Sequence, residues 1–193
     1  MEENIKKEMC DKNMQSDNVL VAADTDGNKM VIIPQIIFKG KRSISWKEVE
    51  KYLLRYIGNI FEISETGDLI YIDRIFVDEY TGSDYTNKLV GALPKVKANM
   101  SQGIPQLIEI ATSKRWKEDF ENRHKKMACK GWFRYNTRFA IPVTNNDGNI
   151  TEYNVYQAVL IVRYSIDGKL YLYDIQNIKK ETRYPSWTSM SDG

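Results

Sequence analysis

The sequence predicts an α+β protein in which N-terminal helices pack on a C-terminal antiparallel β-meander. Three observations carry that expectation. Apolar positions recur at a helical period between residues 45 and 57 and again between 87 and 121. From Trp132 onward the period falls to two, the signature of strands. The last three apolar runs are joined by "NNDGN" and "SIDGK", Asp-Gly turns of hairpin length.

Taken in order, residues 1–18 are polar, lack an apolar period and are expected to be disordered. The segment up to residue 28 reads as linker-like, followed by a single α+β domain over 29–185 and a tail at 186–193. "VLVAA" and "KMVIIPQIIF" flank "DTDGN" and predict a hairpin, with Pro34 ending its second strand. "SISWKEVEKYLLRYIG" predicts a helix: Ser45 and Glu48 stand at capping-box spacing, and Gly58 lies just past the end. Its apolar face is Trp46, Val49, Leu53, Tyr56 and Ile57. "IFEIS" and "DLIYID" predict short strands around "ETG". "VDEYTGSDYTN" is expected to be a polar loop. Two helices are expected between Asn87 and Glu121, punctuated by Pro94 and by "GIP" at 103–105. In "WFRYNTRFAIPV", Phe133, Tyr135, Phe139, Ile141 and Val143 alternate with Arg134, Asn136 and Arg138. "TEYNVYQAVLIVRY" is apolar on both faces in its second half and is expected to be central, with "LYLYDIQNIKK" as the third meander strand.

A chain of 193 residues is expected to form one domain that buries a sizeable core without staples. With 42% hydrophobic and 28% charged residues it has the composition of a soluble globular protein rather than a disordered or fibrous one. Two cysteines, Cys10 and Cys129, and one histidine, His124, form no zinc-ligand spacing, so neither a metal nor a cofactor is expected. Free thiols, a charged N-terminus and no membrane-length apolar run point to a cytoplasmic protein without membrane contacts. The charge is uneven: residues 112–138 carry 9 basic side chains against 3 acidic, within a chain of net charge +2. A local basic patch suggests a local anionic partner.

That patch supplies the candidate site. Alternation places Arg134 and Arg138 on one strand face, roughly 13 Å apart at about 3.3 Å per residue. Lys180 and Thr182 would share a face of the last strand. A guanidinium suits bidentate contact with phosphate and stays charged at working pH. Trp132, Phe133 and Tyr135 offer rings on which bases stack. RNA cleavage by 2′-OH attack needs a proton carrier, which His124 would supply, and fixed cations that hold the growing charge on phosphorus. Catalytic roles fall to His124, Arg138, Lys180 and Thr182, and RNA-positioning roles to Lys125, Arg134, Tyr135 and Lys179. Each position also has a structural reading. His124 and the paired lysines would be solvated, the rings would be core, and Arg138 would meet an internal carboxylate such as Asp174.

The phrases "KANMSQGIPQLIEIATSKRWKE", "HKK…A…GWFRYNTRFAIPV" and "GKLYLYDIQNIKKET" resemble a module of phages and other mobile elements. That module is grouped with the barnase–EndoU–colicin–RelE nuclease superfold. The resemblance spans about residues 31–185. It implies helices packed on an antiparallel sheet that carries a ribonuclease site, with His124, Arg138, Lys180 and Thr182 as its functional residues. The partners expected are RNA and, for a toxin- or effector-like module, an immunity or inhibitor protein. The competing expectation is a non-catalytic nucleic-acid-binding or accessory interaction domain.

Overall fold

The computed structural model describes residues 18–40, 43–117 and 129–181. Helix and strand are mixed, and strand dominates. Among the described residues, eight strands form one sheet, ordered β1 (Leu20–Ala23), β2 (Lys29–Ile32), β6 (Cys129–Thr144), β7 (Ile150–Ser165), β8 (Leu170–Lys180), β4 (Leu69–Tyr71) and β3 (Ile60–Glu62), with β5 (Thr112–Lys117) also paired to β6.

Strands β1 (Leu20–Ala23) and β2 (Lys29–Ile32) form the expected antiparallel hairpin. Its turn is closed by the Asp24 carboxylate, which accepts from the N–H groups of Asp26 and Asn28 at 3.0 and 2.9 Å. Gly27 supplies a φ of +82° that a side chain would strain. The sheet therefore begins at residue 20, within the stretch expected to be linker-like.

Helix α1 (Trp46–Leu53) buries Val49 and Leu53, and a 3₁₀ turn (Leu54–Tyr56) buries Tyr56, as the period requires. Two details differ from expectation. Ser45 is the N-cap but makes no side-chain cap bond, so the capping box does not form. Ile57 is 38% exposed, because the chain leaves the helical turn there for ψ 130°.

Strands β3 (Ile60–Glu62) and β4 (Leu69–Tyr71) pair as expected. The "VDEYTGSDYTN" stretch, expected to be a loop, is helical: α2 (Arg74–Gly82) and α3 (Asp84–Asn87). The Asp73 carboxylate accepts from the Phe76 N–H, and the Ser83 hydroxyl from that of Thr86, so both helices start on polar caps. Phe76, Val77 and Tyr80 then bury one face. Polar caps and a short buried stripe, not the polar average, decide the segment.

Helices α4 (Leu93–Met100) and α5 (Ile104–Glu109) flank a 3₁₀ turn (Ser101–Gly103), with Pro94 and Pro105 in the first turns where a missing N–H costs least. Gly103 is needed for contact: a Cβ there would lie 2.8 Å from Val31 Cγ1. The helix expected to run on to Glu121 stops at Glu109. Instead β5 (Thr112–Lys117) is an exposed strand on β6. Leu107, Ile108 and Ala111 satisfied the helical period because they end α5 and its exit, while Trp116 belongs to the strand.

Strands β6 (Cys129–Thr144), β7 (Ile150–Ser165) and β8 (Leu170–Lys180) pair antiparallel, with β7 central as its two apolar faces predict. The whole sheet is mixed, because the two N-terminal hairpins join its sides in parallel, Val31 beside Phe139 and Ile70 beside Leu170. Tyr135, Phe139, Leu160 and Val162 share one core cluster with Leu53, Phe76, Tyr80 and Leu107. Among the described residues, no helix is long and apolar enough to cross a membrane.

Candidate functional site: a polar cleft on the β6–β8 face

One edge of β6 changes partner along its length. It pairs with β5 as far as Thr112 opposite Asn136, and with β2 from Val31 beside Phe139 onward. Where the two partners part, at residues 136–138, a cleft of about 730 Å³ opens. The β1–β2 turn (Gly27–Lys29), Ser64 and Glu65, and the exit of α5 (Glu109–Thr112) complete its walls.

Cross-strand register builds the floor. Arg138 stands opposite Gln157, and Gln157 opposite Lys179, so a guanidinium, an amide and an ammonium cross three strands in one row. Residues opposite each other in an antiparallel pair share a face, with strands about 4.8 Å apart. The row is therefore about 10 Å wide. Asn177, at φ +53°, bulges β8 beside it and also lines the cleft.

Arg138 is held tightly. Its Nε and Nη2 donate to the two oxygens of Glu181 at 2.7 and 2.9 Å, a bidentate fork, and Nη1 donates to Asp24 at 2.9 Å. Its partner is thus an internal carboxylate, as the structural reading allowed, but not Asp174. Asp174 is paired with Lys97 instead. The Arg138 hydrogen bonds hold the Glu181 carboxyl below its ordinary range against the opposing effect of burial. For Asp24, burial pushes the pKa up, yet hydrogen bonds from the Asn28 N–H and from Arg138 outweigh it and the pKa falls.

This clamp ties the N-terminal hairpin to the end of β8, and its contribution to stability has a definite sign with pH. A carboxyl whose folded pKa is depressed stabilises the native state above the unfolded value, and that stability is lost as pH falls through the folded value. Glu181→Gln is expected to cost about 1–2 kcal/mol at pH 7. The gap to wild type should begin to narrow near about pH 4, where the unfolded carboxyl protonates, and close as the pH falls through the lower folded value. Urea unfolding of both proteins at pH 7 and pH 3 checks this; an equal gap at both would exclude the clamp as its source.

The other expected site residues are dispersed. Lys179 joins Arg138, but Lys180 stands opposite Tyr156, which stands opposite Phe139. One residue out of step along a strand means the other face, so Lys180 does not converge with Arg138. Tyr135 is fully buried, not available for stacking, and donates to Asp68 at 2.8 Å. Burial, reinforced by the Asp68 carboxylate, pushes its phenol well above the ordinary value. Arg134 is half-buried beside Ile161 and outside the cleft lining, with an Nε that has no hydrogen-bond partner. His124, Lys125 and Thr182 lie outside the described residues. The segment carrying His124 departs from Lys117 and Cys129, and Lys117 pairs with Trp132, six residues of β6 or about 20 Å from Arg138.

Lys29, Glu65, Gln157, Asn177 and Glu181 line or brace the cleft without having been expected there. Gln157 carried a legible signal, since it is a polar residue immediately before the apolar second half of β7. The others reach the site through pairings between distant segments. Among the described residues, no cluster of three His, Cys, Asp or Glu side chains could hold a metal ion. Comparison with family models, curated proteins and solved structures finds no match to this chain.

Proposed function

We propose that the cleft is the RNA site of a metal-independent endoribonuclease, a toxin- or effector-like module in which a helical layer backs the meander. The observation that carries this reading is the Arg138–Gln157–Lys179 row in the floor of a nucleotide-sized cleft. A guanidinium and an ammonium in one row can each contact an anionic group of a backbone, and an amide between them can hydrogen-bond sugar or base. The resemblance of the quoted phrases to the phage and mobile-element module grouped with the barnase–EndoU–colicin–RelE superfold points the same way.

In this reading the 2′-oxygen attacks phosphorus, the P–O5′ bond breaks, and the products end in a 2′,3′-cyclic phosphate and a 5′-hydroxyl. His124 carries the proton. Arg138 and Lys179 hold the charge that grows on the phosphorane, Lys179 taking the role expected of Lys180. The Glu181 and Asp24 oxygens on the guanidinium mark where phosphate oxygens would bind in exchange. Thr182 follows Glu181 directly in sequence and would orient a phosphate oxygen.

The test is incubation of labelled single-stranded RNA and tRNA in EDTA. Wild type is expected to release cyclic-phosphate ends, Lys179→Ala to slow this about 100-fold, and His124→Ala at least as much. Failure of wild type to cleave either RNA, or unchanged rates in both variants, overturns the enzyme reading. The Glu181 and Asp24 clamp favours a second reading, a non-catalytic RNA-binding module with Arg138 in a structural role. It expects salt-dependent binding without cleavage.

A further inference from the structure

A second surface lies at the far end of the same hairpin. Trp116 on β5 is 46% exposed, yet its ring is fixed in place. Phe133 meets it edge-on at 4.9 Å and Tyr164 at 6.3 Å. Gly131 lies beneath it: a Cβ there would sit 2.1 Å from the indole Cη2, so only glycine leaves room for the ring. Cations flank these rings. Lys114 lies 4.4 Å from the Phe133 ring centre and Lys130 5.0 Å from that of Tyr164. Lys130 is exposed, whereas Arg115 and Lys117 alternate to the other face of the sheet, where Arg115 donates to Asn136 at 2.9 Å. Among the described residues, Asp68 is engaged by Lys114 and by Tyr135, and Glu65 accepts from the Ser113 N–H of β5.

An aromatic ring pre-set on a rigid strand and surrounded by cations has the two properties that unpaired nucleic acid requires. One is a π-face for a base, and the other is positive charge for the backbone beside it. A buried-core role does not account for an indole left half in solvent. A plain solvated face would need neither the glycine seat nor the edge-on supports. We propose that the Trp116–Phe133–Tyr164 surface is a stacking platform for single-stranded RNA, with Lys114 and Lys130 supplying the positive charge for its backbone. It is distinct from the cleft: Trp116 pairs with Phe133, five residues of β6 or about 17 Å from Arg138. The choice of RNA as ligand rests on the reading of the cleft.

The experiment uses the full chain and a fluorescent twelve-nucleotide 2′-O-methyl oligouridine. That ligand lacks the attacking hydroxyl, so binding is read whether or not the protein cleaves RNA. Trp116→Ala is expected to weaken binding about tenfold, as loss of one base–aromatic stack does, and Trp116→Tyr to keep most of the affinity. Replacing Lys130 by Gln is expected to reduce the salt slope by about 0.7, the value for one phosphate of a single strand. A duplex of the same length, whose bases are already stacked, should be indifferent to Trp116→Ala. Equal affinity of Trp116→Ala and wild type for the single strand overturns the platform. So does an equal loss on the duplex, or an unchanged salt slope in the lysine variant. The last pattern would leave the cations as protection of an exposed sheet edge. Matching thermal unfolding of Trp116→Ala and Trp116→Tyr excludes misfolding as the cause. Failure of wild type to cleave RNA while it still binds the oligouridine would count against the nuclease reading and leave the platform standing.

Discussion

Asp174→Ala is expected to destabilise the protein by about 3–5 kcal/mol, the range for breaking a buried ion pair from one side. Both partners of the Lys97–Asp174 pair are wholly inaccessible, and their charged atoms are 2.7 Å apart. Every polar atom has an occupation. One Asp174 oxygen accepts from Lys97 and from the Ile175 N–H, and the other from Ser83 and Gln176. The Lys97 ammonium also donates to Thr86 at 2.7 Å and lies 4.6 Å from the Tyr80 ring centre. Without the carboxylate, an ammonium is left in a site that already disfavours it. Burial lowers the Lys97 pKa, and the attraction of Asp174 only partly opposes that.

The pH dependence follows from the same balance. A lysine whose folded pKa lies below its unfolded one binds fewer protons when folded, so stability rises with pH between the two values. In Asp174→Ala the folded pKa falls further, and the deficit is expected to be smaller at pH 9.5 than at pH 7. Pairing Asp174→Asn with Lys97→Met removes the stranded charge while keeping an acceptor for Ser83, and should recover more than half of the loss. Denaturant unfolding of the three proteins at both pH values is the measurement. A double variant no better than Asp174→Ala would show that the charge is not what is being paired.

Phe139→Ala is expected to cost a similar amount, about 3–5 kcal/mol, and to lower the melting temperature by on the order of 10 °C. Phe139 is fully buried and stacks on Tyr156 with ring centres 5.4 Å apart and planes 17° from parallel. It also stands at the point where β2 joins β6, beside Val31, and its face meets the helical residues of the main core. Truncation therefore opens a cavity where three segments distant in sequence meet, and no single side chain can collapse into it. Phe139→Leu should cost less than half as much. A loss below about 1 kcal/mol for the alanine variant would mean that the hairpin repacks over the gap.

The elements read most clearly from the sequence are those whose signal is local. The Asp-Gly turns, the two-residue period of "WFRYNTRFAIPV" and the two-faced apolar run of β7 depend only on neighbours within one strand, and they appear where expected. The "VDEYTGSDYTN" segment differs because its polar composition masks two buried side chains, Val77 and Tyr80, which continue a helical stripe begun by Phe76 just before it. The β5 strand failed for a different reason. "TSKRWK" buries nothing, so it has no period of its own and is a strand only because the β6 edge offers it hydrogen bonds.

The candidate site divides along the same line. The residues by themselves determined that a basic, aromatic strand leads the meander and that Arg138 on it would need an anionic partner. Which anion that is, whether Lys179 or Lys180 stands in its row, and whether Tyr135 faces ligand or core were decided by the tertiary structure. Register is set by where whole strands bury their apolar faces, and a shift of one residue reverses every side chain. Asp24 and Glu181 are 157 positions apart and meet on one guanidinium because β2 and β7 flank the same strand. Nothing in either local sequence encodes that meeting.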